Sequence, residues 1–261
     1  FGGKNMSNQI DQLSTNQEGH LQIGGVDSLE LVKKYQTPLV VYDVKAIRDQ
    51  IHHFQKVFQD NGVDFAVSYA SKAFACIAMF QLINQEKGHI DVVSGGELYT
   101  AIKAGFPMER VSFHGNDKSR AELEMAVDHQ IGVIILDNFH EIDLLKDVLE
   151  EKQSHINVML RVTPGISAHT HEYDQTGQVD SKFGFDIQSG QAKKALGLVL
   201  EDDRMNMLGI HCHIGSQIFE VNGFDMAAVK LIDTLARWNK ELVYFAKVVN
   251  VGGGFGIKYT E

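Results

Sequence analysis

Hydrophobic and polar positions along this chain follow two rhythms, and the change from one to the other recurs. Between about residues 44 and 59, Ile47, Ile51, Phe54, Val57 and Phe58 fall at helical spacing. Phe65, Val67 and Tyr69 then alternate with Ala66, Ser68 and Ala70, which predicts a strand over 65–70 with one bulky and one small face. The spacing next predicts a helix through Ile77, Phe80, Leu82 and Ile83, a strand at 89–93, a helix after Gly95-Gly96-Glu97-Leu98 and a strand at 111–114. Helices near 121–128, 142–149, 191–200 and 224–242 alternate with strands at 133–136, 157–162, 207–213 and 247–251.

Short apolar strands alternating with helices imply parallel strands joined by right-handed crossovers. Seven strand–helix units in about 200 residues favour an α/β barrel of the (β/α)8 TIM type over an open doubly wound sheet, with the seventh strand near residue 261 and no eighth. Three segments are expected: a flexible arm over 1–20, a segment over 21–43 with its own short strand, helix and a strand at 39–42, and the truncated barrel over 44–261. Residues 1–5 read as extraneous to the fold.

Composition narrows the function classes. The chain has 261 residues, 44% hydrophobic and 22% charged, and a formal net charge of −10, which disfavours nucleic acid and anionic membrane as partners. Its two cysteines, Cys76 and Cys212, are too few and too far apart for a disulfide scaffold. With no apolar run of spanning length and no leader, a cytoplasmic location is expected.

The carboxyl ends of the strands are where a barrel of this kind keeps its chemistry. In this sequence those ends carry Lys72, then Asp91 and Glu97, then His114 and Asn116, then Asp137 and Asn138, then Arg161. A long insert follows with HTHEYD (169–174) and SKFGF (181–185), then HCHIGSQ (211–217) and Gly252, Gly253 and Gly254. Three successive glycines expose backbone N–H groups suited to an anion. His211 and His213, with His169 and His171, could instead bind a metal ion in a barrel hydrolase. That reading leaves Lys72 and the glycines unused. A pyridoxal 5'-phosphate site uses all three features: the aldehyde on Lys72 as a Schiff base, the phosphate on Gly252–Gly254 with Ser216, and the ring beside His213.

These motifs resemble the diaminopimelate decarboxylase family. YASKAF, DVVSGGEL, FHGN, RVTPG with HTHEY, SKFGF, HCHIGSQ and VGGGFG occur in the order found there, from about residue 21 onward. The resemblance implies Lys72 as the Schiff-base lysine, His213 stacked on the pyridine ring and Ser216 with the glycine loop on the phosphate, with Asp91, Glu97 and Arg161 near the cofactor. It implies decarboxylation of meso-2,6-diaminopimelate to L-lysine, the last step of lysine biosynthesis, by a homodimer with shared active sites. Ornithine and arginine decarboxylases are the related alternatives, and a non-catalytic fragment is another. Family members continue with an eighth strand bearing Glu-Pro-Gly-Arg and a C-terminal β domain, with which residues 21–43 would associate; neither is present here. Cys76 and Cys212 do not match the catalytic cysteine of that domain, and this chain alone is expected to be inactive.

Overall fold

The computed structural model describes residues 14–166 and 182–257. The chain divides into two compact units, Phe1–Val67 with Gly256–Glu261, and Ser68–Phe255.

In the first unit, β1 (Ser14–Thr15), β2 (Leu21–Ile23) and β3 (Val26–Asp27) form an antiparallel sheet in that order. Residues 14–20, expected to be a loose arm, are therefore ordered by pairing and by a turn. The Asn16 carboxamide accepts the N–H groups of Glu18 and His20 at 3.0 and 2.9 Å. Helix α1 (Ser28–Tyr35) starts at Asp27, whose carboxylate accepts the N–H of Leu29, and α2 (Val44–Asp60) starts at Asp43, which accepts that of Ala46. The strand expected at 39–42 does not form, because among the described residues no second strand lies alongside it to complete a ladder.

The second unit carries the alternation: β4 (Ser68–Ala70), α3 (Ile77–Gln85), β5 (His89–Val92), α4 (Gly95–Lys103), β6 (Val111–Phe113), α5 (Arg120–Asp128), β7 (Val133–Leu136) and α6 (Phe139–Glu151). There follow β8 (Ile156–Thr163), β9 (Phe185–Asp186), α7 (Gln191–Leu200), β10 (Met205–His211), α8 (Asn222–Leu242) and β11 (Val248–Asn250). The strands lie in the order β4-β5-β6-β7-β8-β10-β11, every pairing parallel, with the two-residue β9 added to β8. These are seven strands of a (β/α)8-type barrel sheet. The predicted strand over 65–70 shrinks to 68–70 because β5 begins at His89, the partner of Ser68, and offers nothing upstream to pair with.

The core lies around β7 and β8, where Ile134, Ile135, Leu136, Val158, Met159, Leu160 and Val162 are all buried. A strand covered on both faces reads as a continuous apolar run, as VIIL does here. Helices begin sharply after their strands: Ser94, Ser119 and Asn138 each accept the N–H of the residue three positions on, and Ser119 with Glu122 closes a capping box. No described helix is long and apolar enough to cross a membrane.

Candidate active site

Because all seven strands run the same way, the residues that follow them share one end of the sheet. Lys72 lies just beyond β4 in a single 3-10 turn, Ser71–Ala73. Its side chain is exposed and, among the described residues, makes no hydrogen bond or ion pair. Among the described residues β4 has a strand neighbour on one side only, β5.

Beside it, Asp91 ends β5. The Ser68 hydroxyl donates to Asp91 Oδ1, and His114 Nε2 stands 3.5 Å from the same oxygen. Burial pushes the Asp91 carboxyl up, but His114 and the Ser68 hydroxyl outweigh it and hold it below the ordinary carboxylate range. Glu97, in the first turn of α4, accepts the N–H of Val93 at 2.8 Å and faces the Ser71 hydroxyl at 2.5 Å.

The two histidines of HCHIGSQ take different places. His211 is the last residue of β10 and is buried, its ring edge-on to that of His114 at 4.8 Å between centroids. Burial, His114 and Arg161 push its pKa down to about 3. His213 stands half-buried beyond the strand, and burial, Arg161 and then Lys72 push its pKa down to about 4. Both rings are neutral at pH 7. The residues after β4 and β10 lie at the same end of the sheet, where the Lys72 charge acts on His213. Among the described residues His211 and His213 join no group of three metal ligands; His169 and His171 lie outside the described residues.

Arg161, near the end of β8, lies over the ring of Phe183, 4.2 Å from its centroid, and 3.7 Å from Asp137 Oδ2. Asp137 Oδ1 accepts the N–H of Gly184 at 2.7 Å. Burial pushes the Asp137 carboxyl up against the pull of that N–H and of Arg161. Asn138 caps α6 and donates to the carbonyl of Asn116, 3.0 Å away, while Asn116 donates to that of Lys182 at 2.9 Å.

Sequence reasoning missed the pair beneath these residues. Lys118 and Glu141 are 1% and 3% exposed in their side chains and 2.6 Å apart. The Lys118 ammonium donates its other protons to the carbonyls of Gly115, at 2.8 Å, and Ile135, at 2.7 Å, and Glu141 also accepts the N–H of Asp137, at 3.1 Å. Burial pushes Lys118 down and Glu141 up, and each partner opposes the other's shift.

The glycine loop after β11 is shaped by close approach. A Cβ on Gly252 would stand 2.3 Å from the Cys212 carbonyl oxygen, and one on Gly254 would stand 1.9 Å from that of Gly215; both residues have positive φ. The Gly252 N–H is already taken by Asn250 Oδ1 at 2.8 Å, so the amides left for an anion are those of Gly253 and Gly254. The Gly254 carbonyl accepts the N–H of Ile218, which ties the loop to the exposed Ser216 and its neighbours. Between them lies Cys212, whose thiol burial pushes up to about 12.

The arrangement offers an unpartnered amine, a neutral imidazole, an Arg–Asp pair and free amides at one end of a parallel sheet. The family described as pyridoxal-dependent decarboxylase, pyridoxal binding domain, matches residues 44–261. A diaminopimelate decarboxylase of Bacillus methanolicus is 58% identical over 246 residues, covering 94% of this chain and 57% of that protein. The crystal structure of diaminopimelate decarboxylase from M. jannaschii superposes with a TM-score of 0.87 at 35% identity, covering 96% of this chain and 58% of that one. The same enzyme in co-complex with L-lysine gives 0.87 at 34% identity. The chain thus spans somewhat over half the length of these relatives. It belongs to the pyridoxal-dependent decarboxylases, over their pyridoxal binding domain.

Proposed function

We propose that this chain is the cofactor-binding part of a diaminopimelate decarboxylase, which forms L-lysine and carbon dioxide from meso-2,6-diaminopimelate. The observation that carries this reading is that Lys72, His213 and the Gly253 and Gly254 amides all follow strands of one parallel sheet, at the same end of it. The residues suit pyridoxal 5'-phosphate: two free N–H groups in a loop that admits no side chain at Gly252 or Gly254 fit a phosphate dianion, an unpartnered amine fits an aldehyde, and a neutral ring fits a flat aromatic face.

Lys72 would hold the aldehyde carbon, His213 would lie against the pyridine ring, and Gly252, Gly253 and Gly254 with Ser216 would hold the phosphate, Gly252 by letting the backbone pass rather than by donating. When bound, the cofactor supplies an electron-withdrawing ring that takes up the electron pair left by departing carbon dioxide. The low pKa of His213 keeps a second positive charge off the ring face. Arg161 and Asp91 are charged groups at the same end of the sheet, each fixed by a partner, and would orient what binds beside them. Lys72 would also return a proton to the substrate carbon once it has been freed.

The diaminopimelate substrate is supported by the names of the relatives, and the L-lysine complex suits a product of that reaction. A homodimer with shared sites, a cytoplasmic location and pairing of residues 21–43 with a β domain complete the proposal. Borohydride reduction of the full-length enzyme followed by peptide mapping tests it: pyridoxyl is expected on Lys72, and label on another residue would refute the assignment. Assays against diaminopimelate, ornithine and arginine test the substrate, with preference for either of the latter two overturning it.

A further inference from the structure

We infer that Ser71 and Tyr69 are positioning residues that fix the root of Lys72 while leaving its amine free. The inference rests on the reading of Lys72 as the cofactor-binding amine. It starts from a weakness in the fold. β4 is three residues long and pairs with β5 through Ser68 with His89, Tyr69 with Ile90 and Ala70 with Asp91. The chain then leaves the sheet in the turn Ser71–Ala73, which has no side-chain cap, and is extended again at Phe74. So short a strand gives the following turn little support.

Two side chains supply what the backbone lacks. Ser71 is fully buried although it adjoins an exposed lysine. Its hydroxyl stands 2.6 Å from the Asp91 carbonyl at the end of β5 and 2.5 Å from Glu97 Oε2 on α4. Both neighbours are fixed: Asp91 by the strand pairing and by Ser68, Glu97 by the N–H of Val93 and by the helix it opens. From the other side, the Tyr69 hydroxyl donates across the turn to the carbonyl of Phe74 at 3.1 Å. Lys72 is thereby bracketed by one tie to the neighbouring strand and helix and one across its own loop. A buried serine is often no more than a satisfied core hydroxyl. Here its partners are the two groups that bound the lysine's turn, and a reactive side chain displaced at its root loses rate steeply with distance.

The test uses the full-length enzyme, stripped of cofactor and given pyridoxal phosphate. Condensation of the lysine amine with the aldehyde expels water, and borohydride quenching at set times delivers hydride that fixes the product as a pyridoxyl label for mass spectrometry. Ser71→Ala is expected to slow labelling of Lys72 by about tenfold or more. Tyr69→Phe is expected to slow it less, and Ser71→Cys, of similar shape but a weaker donor, to fall between wild type and alanine. Thermal melting of the cofactor-free proteins is followed in parallel. Lower melting temperatures with unchanged labelling rates would show a purely structural role and overturn the inference. Wild-type label on a residue other than Lys72 would refute the functional reading and the inference with it, whereas wild-type label on Lys72 with equally fast Ser71→Ala labelling refutes the inference alone.

Discussion

At the scale of single residues, two histidines two positions apart divide the work of one strand end. His211 ends β10 and turns inward to pack on His114, whereas His213 lies beyond the strand, where Arg161 and Lys72 act on it. An imidazole whose folded pKa lies below its unfolded value binds fewer protons in the native state, so stability rises with pH between the two values. With a folded pKa of about 4 against 6.5, His213 is expected to cost stability as pH falls from about 6.5 to about 4. Its contribution is on the order of 3 kcal/mol at roughly 1.4 kcal/mol per unit of separation, reduced by its partial exposure. Urea melts at pH 7 and pH 4.5 should show a smaller loss for His213→Gln than for wild type; an equal loss would place the acid sensitivity elsewhere. Gly254 gives a second expectation. Ala in its place meets a backbone oxygen in a backbone with φ of 102°, so Gly254→Ala should weaken pyridoxal phosphate binding far more than Gly253→Ala, where no atom lies within 4 Å of a Cβ. That the glycine run, Lys72 and His213 follow strands at one end of the sheet was legible because the alternation of helices and strands fixes where each strand ends. The allocation of the Gly252 N–H to Asn250 was not, since a local side-chain bond leaves no mark on a hydrophobic pattern.

At the scale of elements, helices were read closely and strand ends less so. The helices predicted at 191–200 and near 121–128 form at Gln191–Leu200 and Arg120–Asp128, because the apolar period runs the length of both and Ser119 with Glu122 caps the start of the second. Strands depend on where their neighbours begin, which is why the stretch 65–70 loses three residues and 39–42 forms none. The Lys118–Glu141 pair was illegible for a related reason. A lysine just before an N-cap serine and a glutamate in a first helical turn look like ordinary surface charges, and only the stacking of α5 on α6 brings them together. Their burial yields an expectation at this scale, because the pair ties the loops after β6 and β7 to the start of α6. Lys118→Met should cost about 3–5 kcal/mol by leaving Glu141 buried without a counter-charge. Lys118→Met with Glu141→Leu should recover much of that loss in urea denaturation; a double variant as unstable as the single one would show that the carbonyl bonds of Lys118 carry the stability.

At the scale of the whole molecule, the parallel sheet is stable at its centre and open at both margins, and the proposed site straddles those margins. β7 and β8 are largely buried and have strands on both sides, while β4 and β11 each have one neighbour, and Val248 and Val249 of β11 are 40% and 42% exposed. Local opening follows burial and pairing, so amide exchange should be slowest in β7, β8 and β10 and fastest in β4 and β11. Lys72 follows one margin and the glycine loop the other. A ligand held by both must therefore slow exchange at two segments far apart in sequence. Hydrogen exchange on residues 1–261 with added pyridoxal phosphate should show protection rising together over 68–74 and 248–255, with β8 unchanged because it is already closed. Protection at one margin alone would mean that the amine and the amides do not serve the same molecule in this chain, and protection at β8 instead would place the ligand outside the strand ends altogether.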